Sequence, residues 1–454
     1  MGKKENKMGV MPVKKLIISM SLPMMISMMV QALYNVVDSY FVAKVSEDAM
    51  TAVTMAFPLQ NLMIAVASGT GVGINALLSR SLGEKRFDRS DAAANNGLLL
   101  TFLSYLVFLL VGLFGTRAFI LTQVKDPVKD AQVLAFATSY LRICCCLSMG
   151  IFFQITFERL LQSTGRTIYS MVSQATGAII NIIFDPIMIF GLFGFPKLGV
   201  AGAAYATVLG QITAACLGLI LNLRKNEEIT ISLKRILSPN AMIIREIYFV
   251  GVPSILMMSI GSVMTYMMNQ ILKTFSNTAI AVFGVYFRLQ SFFFMPIFGL
   301  KNGLIPVLAY NYGARNRERI REALRFAMFL ALSIMAAGTV VFETRPVQLL
   351  RLFNASDEML RIGVPALRII CLSFTVAGAC IVMGSIFQAF SQSYYSLIIS
   401  VARQLLVLIP VAYLFSKIGD VTLVWWAFPI AEIVSLILSF IFFRRLYNQT
   451  VQTL

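Results

Sequence analysis

Residues 16–41 read LIISMSLPMMISMMVQALYNVVDSYF, a run without Lys, Arg or Glu that is interrupted by one proline, Pro23, and one acid, Asp38. It is longer than the about 20 apolar residues needed to cross a bilayer. Lys14 and Lys15 precede it and no small-residue cleavage site follows, so it reads as a retained span rather than a signal peptide. Its polar residues are ordered. Gln31, Tyr34, Asn35 and Asp38 recur at i, i+3, i+4 and i+7 and share one helical face. A spanning helix with such a stripe needs neighbours to turn it toward, so the segment predicts a bundle of spans.

The rest of the chain supplies them. Apolar stretches fall near 49–79, 92–116, 131–157, 169–192 and 200–223, then near 246–272, 280–311, 324–344, 360–390, 394–416 and 423–443. Together with the first, they make twelve spans in two sets of six. Only 13% of the 454 residues are charged and 58% are hydrophobic, against about 25% charged in soluble domains. The fold class expected is all-α integral membrane, with a six-helix lobe over 1–223, a cytoplasmic linker over 224–245 that contains Ser238-Pro239, and a second six-helix lobe over 246–454. No room is left for a separate soluble catalytic domain.

His is absent, which excludes His-based triads, His-ligated zinc and haem with a histidine axial ligand. Three of the six Cys form the run Cys144-Cys145-Cys146, without the CxxC spacing of a zinc or redox pair, and read as packing residues. No cofactor is expected. The formal net charge is +17, and its placement gives its meaning. Lys14-Lys15, Lys85-Arg86, Arg224-Lys225, Lys234-Arg235, Arg315 to Arg325 and Arg444-Arg445 all fall on alternate loops, the asymmetry that marks cytoplasmic loops. Both termini are therefore expected in the cytoplasm, and nucleic acid is not expected as a partner.

The two halves repeat one another. At an offset of 230, Pro23 meets Pro253, Phe57 meets Phe287, Gln60 meets Gln290, and Gly69, Gly73 and Gly83 meet Gly299, Gly303 and Gly313. At 226, Leu141-Arg142-Ile143 meets Leu367-Arg368-Ile369, Gln162 meets Gln388, and Tyr169-Ser170 meets Tyr395-Ser396. Six spans per copy return the chain to the side it left, so the repeats are parallel and related by an axis along the membrane normal. Two parallel lobes suit rocking about a central cleft, the design of a transporter; a channel would call for a filter stretch, and none is seen.

Acids at membrane depth are costly and therefore informative. Asp38 is one and Asp185 is another, within Asn181-Ile182-Ile183-Phe184-Asp185-Pro186. Gln174, Asn181 and Asp185 share a face of the fifth span, and Pro186 removes the amide that the Ile182 carbonyl would otherwise accept from. Two carboxyls, two amides and a phenol on inward faces offer oxygen ligands for Na⁺ at Asp38, Asn181 and Asp185, or a relay for protons. Under the repeat offsets Asp38 corresponds to Met268 and Asp185 to Val411, so the shared scaffold does not itself require the acids. In the second lobe, Arg403 and Glu432 on adjacent spans read as a structural ion pair; the other reading of Glu432 is a substrate or proton acid. Glu158 and Arg159, at the end of the fourth span, read as interfacial.

These residues resemble the multidrug and toxic compound extrusion (MATE) family of antiporters over nearly the whole chain. The likeness rests on Pro23 and Asp38, on Asn181 and Asp185-Pro186, on Leu161-Gln162-Ser163-Thr164-Gly165-Arg166-Thr167, and on Gln290 to Gly299 followed by Asn311-Tyr312-Gly313-Ala314. Within the family the chain is most similar to the bacterial DinF and MepA-type branch; the span-7 acid of the NorM-like branch is replaced here by Met257-Met258-Ser259-Ile260. The resemblance implies coupling at Asp38, Asn181 and Asp185, with Gln31, Tyr34, Tyr140 and Thr207 as neighbours, and bending of the first helix near Pro23 when the coupling ion binds. It implies a monomeric multidrug antiporter of the bacterial plasma membrane, in contact with membrane lipid, that exports amphipathic or cationic organic compounds in exchange for H⁺ or Na⁺. A lipid-linked sugar flippase would call for several basic residues in its cleft, and a membrane-embedded lipid enzyme for a clustered nucleophile and base.

Overall fold

The computed structural model describes residues 5–124, 127–353 and 355–453. Every regular element among them is helical. In chain order the long helices are α1 (Val13–Ala43), α2 (Glu47–Gly83), α3 (Phe87–Leu121), α4 (Ala131–Cys146 and Met149–Ser163), α5 (Thr167–Phe190) and α6 (Val200–Lys225). They are followed by α7 (Ala241–Lys273), α8 (Asn277–Gly313), α9 (Arg317–Thr344), α10 (Asp357–Cys371 and Phe374–Ala389), α11 (Ser393–Ile418) and α12 (Val421–Val451). Ten are long and apolar enough to cross a membrane, and α4 and α10, bent by 45° and 46°, bring the number of spans to twelve. Helices are the expected solution, since lipid offers backbone amides no partner outside the segment.

The duplication extends to backbone detail. α2 and α8 each have 37 residues, and each begins on a serine cap: Ser46 accepts from the Ala49 amide at 3.0 Å and Ser276 from the Ala279 amide at 3.1 Å. Four helix ends close in the same way. After α2, α4, α8 and α10 the chain passes through Lys85, Gly165, Arg315 and Ser391, all with positive φ. The next amide in each case returns to a carbonyl five residues back, Arg86 to Ser81, Arg166 to Leu161, Asn316 to Asn311 and Gln392 to Phe387. This is the Schellman stop, and glycine takes the left-handed position at only one of the four.

The chain divides into two compact units: a first lobe, Ile26–Ile255, and a second lobe formed by the residues up to Met25 with those from Leu256 onward. The division departs from the expected 1–223 and 246–454 boundaries because it passes through α1 and α7, just beyond Pro23 and Pro253. Repeat-related glycines supply the reason. In the second lobe a Cβ on Gly299 or Gly303 would lie 2.5 Å from Met25 Cα or 2.7 Å from Ser21 Cα, so α8 admits the first half of α1 at close range. In the first lobe Gly69 and Gly73 of α2 face Ile255 and Ile247 in the first half of α7 in the same manner.

The linker belongs to the first lobe as well. Asp91 Oδ1 accepts from the Thr230 amide at 2.7 Å, Asn95 donates to the Thr230 carbonyl at 2.8 Å and accepts from the Ser232 amide at 3.0 Å, and Asn96 accepts from the Asn240 amide at 2.8 Å. Arg235 pairs with Asp91, and Arg89 with Glu246. Polar side chains at the start of α3 thus do for the linker what a neighbouring strand's backbone would do.

One repeat offset does not carry through α11. Ala402–Leu408 is π-helical, whereas α5 is α-helical throughout. Pairing Pro186 with Pro410 instead sets Ile409 opposite Asp185, still an apolar residue.

Candidate functional site

The polar residues of the first lobe converge on α1, α4, α5 and α6. α5 and α6 approach closely where Gly177 and Gly210 meet: a Cβ on Gly210 would lie 2.5 Å from the Gly177 carbonyl oxygen and 3.2 Å from Asn181 Cβ. One turn on, this approach brings Asn181 to Thr207. With its amide oriented to satisfy both neighbours, Asn181 donates to Asp185 Oδ2 at 3.2 Å and accepts from the Thr207 hydroxyl at 3.2 Å and the Thr207 amide at 3.0 Å. Asp185 is 0% exposed and Asn181 2%.

Asp38 reaches the same point from α1. Its carboxyl and that of Asp185 lie within hydrogen-bonding reach of each other. Two carboxylates can only accept, so the contact requires a proton or another cation between them. Asp38 Oδ1 is buried and has no hydrogen-bond partner among the described residues. The hydroxyls of Tyr34 and Thr207 bond to each other, and Tyr34 lies beside both acids. Tyr140 accepts from Gln60 Nε2 at 3.3 Å, and the Cys144 sulfur accepts from the same nitrogen at 3.4 Å. Farther along α1, Gln174 Nε2 donates to Gln31 Oε1 at 2.9 Å and Gln174 Oε1 accepts from the Ser27 hydroxyl.

The structure therefore brings together Asp38, Asn181, Asp185, Tyr34 and Thr207, with Tyr140 beside them and Gln31 with Gln174 as a second group on the same helices. Asn35 is different. Its side chain is exposed, because a residue adjacent to Tyr34 lies at the edge of the stripe rather than at its centre. Three contributors were absent from the sequence-based set. Ser27 continues the stripe one turn before Gln31 and was detectable by the same period. Gln60 was visible only as a repeat marker, and Cys144 only as a member of a cysteine run.

Two further placements bear on the expectations. Glu158 is 7% exposed and accepts from Gln154 Nε2 at 3.0 Å, so it is buried rather than interfacial. The end of α4 is clamped into the bundle, with Asn222 on α6 donating to the Phe157 carbonyl at 3.0 Å. In the second lobe, Arg403 Nη1 donates to Glu432 Oε1 at 2.6 Å. Among the described residues no three His, Cys, Asp or Glu side chains cluster to hold a metal.

The comparisons agree with this architecture. The MatE family profile matches residues 23–187 and again 253–414, one match in each half of the duplication. The Multidrug export protein MepA of Staphylococcus haemolyticus (strain JCSC1435) is 27% identical over 437 residues, covering 96% of this chain and 94% of its own length. The protein of that name from Staphylococcus aureus (strain MSSA476) is 25% identical over 431 residues, covering 93% and 91%. A solved structure described as the outward-facing conformation of a multidrug resistance MATE family transporter of the MOP superfamily superposes with a TM-score of 0.92 at 26% identity, over 100% of both chains. With twelve spans in a duplicated bundle and a family match that covers both halves, the chain belongs to the MatE family of multi-pass membrane transporters.

Proposed function

We propose that this transporter expels amphipathic, cationic organic compounds across the bacterial plasma membrane in exchange for inward H⁺, or Na⁺, taken up at Asp38 and Asp185. The observation that carries the reading is the pair of facing carboxyls in the first lobe, with Asp38 Oδ1 buried and without a hydrogen-bond partner among the described residues. Burying two acids without a base is unfavourable unless a cation neutralises them. A proton or Na⁺ arriving from outside and an organic cation arriving from inside both supply that neutralisation. Either one stabilises a loaded state, so the two couple by competition and need not touch. Asn181 fixes the Asp185 carboxyl through its amide, and Tyr34 with Thr207 keeps hydroxyl oxygens at the same point. These oxygens are of the donor type that hard cations take.

The driving force is sufficient in kind. One elementary charge moved through 100 mV supplies about 2.3 kcal/mol, and a pH gradient adds to it. The basic residues on alternate loops support a reading with both termini in the cytoplasm. The test is uptake of a fluorescent organic cation into proteoliposomes under separately imposed pH and Na⁺ gradients. A pH gradient alone should drive transport by the native chain and fail with Asp38→Asn. A response to the Na⁺ gradient alone would make Na⁺ the coupling ion, and transport by Asp38→Asn equal to that of the native chain would remove the assignment.

A further inference from the structure

The second lobe has a polar interior that the coupling reading leaves unused. Arg403 and Glu432 form a charge-assisted pair there at 2.6 Å, and Glu432 Oε2 is buried without a partner among the described residues. The groups that face the pair come from each helix around it. α8 contributes Tyr286, which donates its proton to Gln290 at 2.7 Å; α10 contributes Cys380, and Cys371 beside Tyr286; α12 adds Ser435 and Ser439 next to Cys380. Arg403 is the base of this set. The backbone changes at the same place, where the π-helical Ala402–Leu408 sits between α-helical turns of α11. Such segments re-aim side chains and are frequent at functional positions.

We propose that the second lobe retains a site for a small monovalent cation comparable to the one at Asp38 and Asp185, and that the Arg403 guanidinium fills it permanently, as a tethered substitute for the exchangeable ion. This deepens the coupling reading and rests on it, since it confines ion exchange to the first lobe. The contrast in charge supports it. Among the described residues the first-lobe cluster has two acids and no base, so it reaches neutrality only by taking up something mobile. The second-lobe cluster has one acid and one base and is balanced within the chain. A guanidinium keeps its proton in proteins and cannot diffuse away, so the charge that fills this site stays in place whatever the transporter carries. A site that does not change between states cannot bias the equilibrium between them.

The test asks whether removing the tethered charge uncovers the site. Arg403→Gln is made in an Asp38→Asn/Asp185→Asn background, so that the first-lobe acids contribute nothing. On a step from alkaline to acidic pH in detergent, the purified protein should take up one more proton than its Arg403 parent. In a second arm, at fixed alkaline pH, it should bind one radiolabelled Na⁺ that the parent does not bind. Adding Glu432→Gln should erase the gain. Absence of a gain in both arms overturns the proposal. If Arg403→Gln does not fold, the charge-neutral Arg403→Gln/Glu432→Gln variant decides in the otherwise native chain. It should keep the native ratio of ions to exported cation, and a changed ratio overturns the proposal. Failure of the first-lobe reading is distinct: it appears as intact gradient-driven transport in Asp38→Asn, whatever Arg403→Gln does.

Discussion

In the first lobe α5 sets Asp185 against Asp38, two acids with no base between them among the described residues, while in the second lobe α11 sets Arg403 against Glu432. Around these pairs the halves are closely alike, down to the serine caps of α2 and α8 and the four left-handed helix stops. The difference separates what the scaffold needs from what the chemistry needs. A twelve-helix duplicated bundle folds with either filling. On the proposed reading, the lobe with unbalanced acids exchanges a cation with its surroundings, and the lobe with a balanced pair does not.

Substitutions that equalise the lobes test this most severely. Asp38→Asn or Asp185→Asn leaves one acid where the proposed exchange needs a facing pair and should reduce gradient-driven export at least ~100-fold, a loss of about 2.7 kcal/mol in transition-state terms. Size-exclusion profile and expression should stay native, and transport in proteoliposomes reads the result. Breaking the balance on the other side should act on stability. Glu432→Gln leaves the half-buried Arg403 without its partner, which costs about 1.5–3 kcal/mol, whereas Arg403→Gln/Glu432→Gln together should recover most of the loss. Thermal unfolding in detergent checks both, and equal losses in the single and double variants would contradict a balanced pair.

A smaller effect is expected from the helix contact that holds the first-lobe site together. Gly210→Val puts side-chain atoms against the Gly177 carbonyl, which costs about 1–3 kcal/mol by overpacking. It should part Asn181 from Thr207 and weaken transport with coupling retained, seen as a raised KM for the fluorescent cation. The smallest effect falls on the shared helix stops. Gly165→Ser should destabilise and Ser391→Gly stabilise, each by about 0.5–1 kcal/mol, because the two positions share one left-handed conformation and differ only in side chain.

The fold was readable because lipid allows little else. Stretches of about 20 apolar residues become helices, and the offset of 230 paired Gly69 and Gly73 with Gly299 and Gly303 before their packing role was visible. Asp38, Asn181 and Asp185 were readable because a buried acid stands out in an apolar run and because the helical period groups it with its neighbours. What stayed hidden depends on packing between distant segments. Nothing local in Glu158 announces that α6 clamps the end of α4 and buries it. Nothing in Arg403-Gln404-Leu405 announces a π-helical segment, and Asn35 lay within the tolerance of the period yet outside the cluster. The crossing of lobe boundaries inside α1 and α7 likewise follows from glycine contacts that no hydropathy window contains.

The strap from Asn226 to Asn240 connects the halves in sequence but is spoken for by Asp91, Asn95 and Asn96 at the foot of α3. It is therefore not a leash whose length can be let out. An epitope or fluorescent tag spliced into it would tug on the membrane-proximal end of α3, and a two-fragment version of the protein would need its break placed elsewhere for the first fragment to keep its own surface covered.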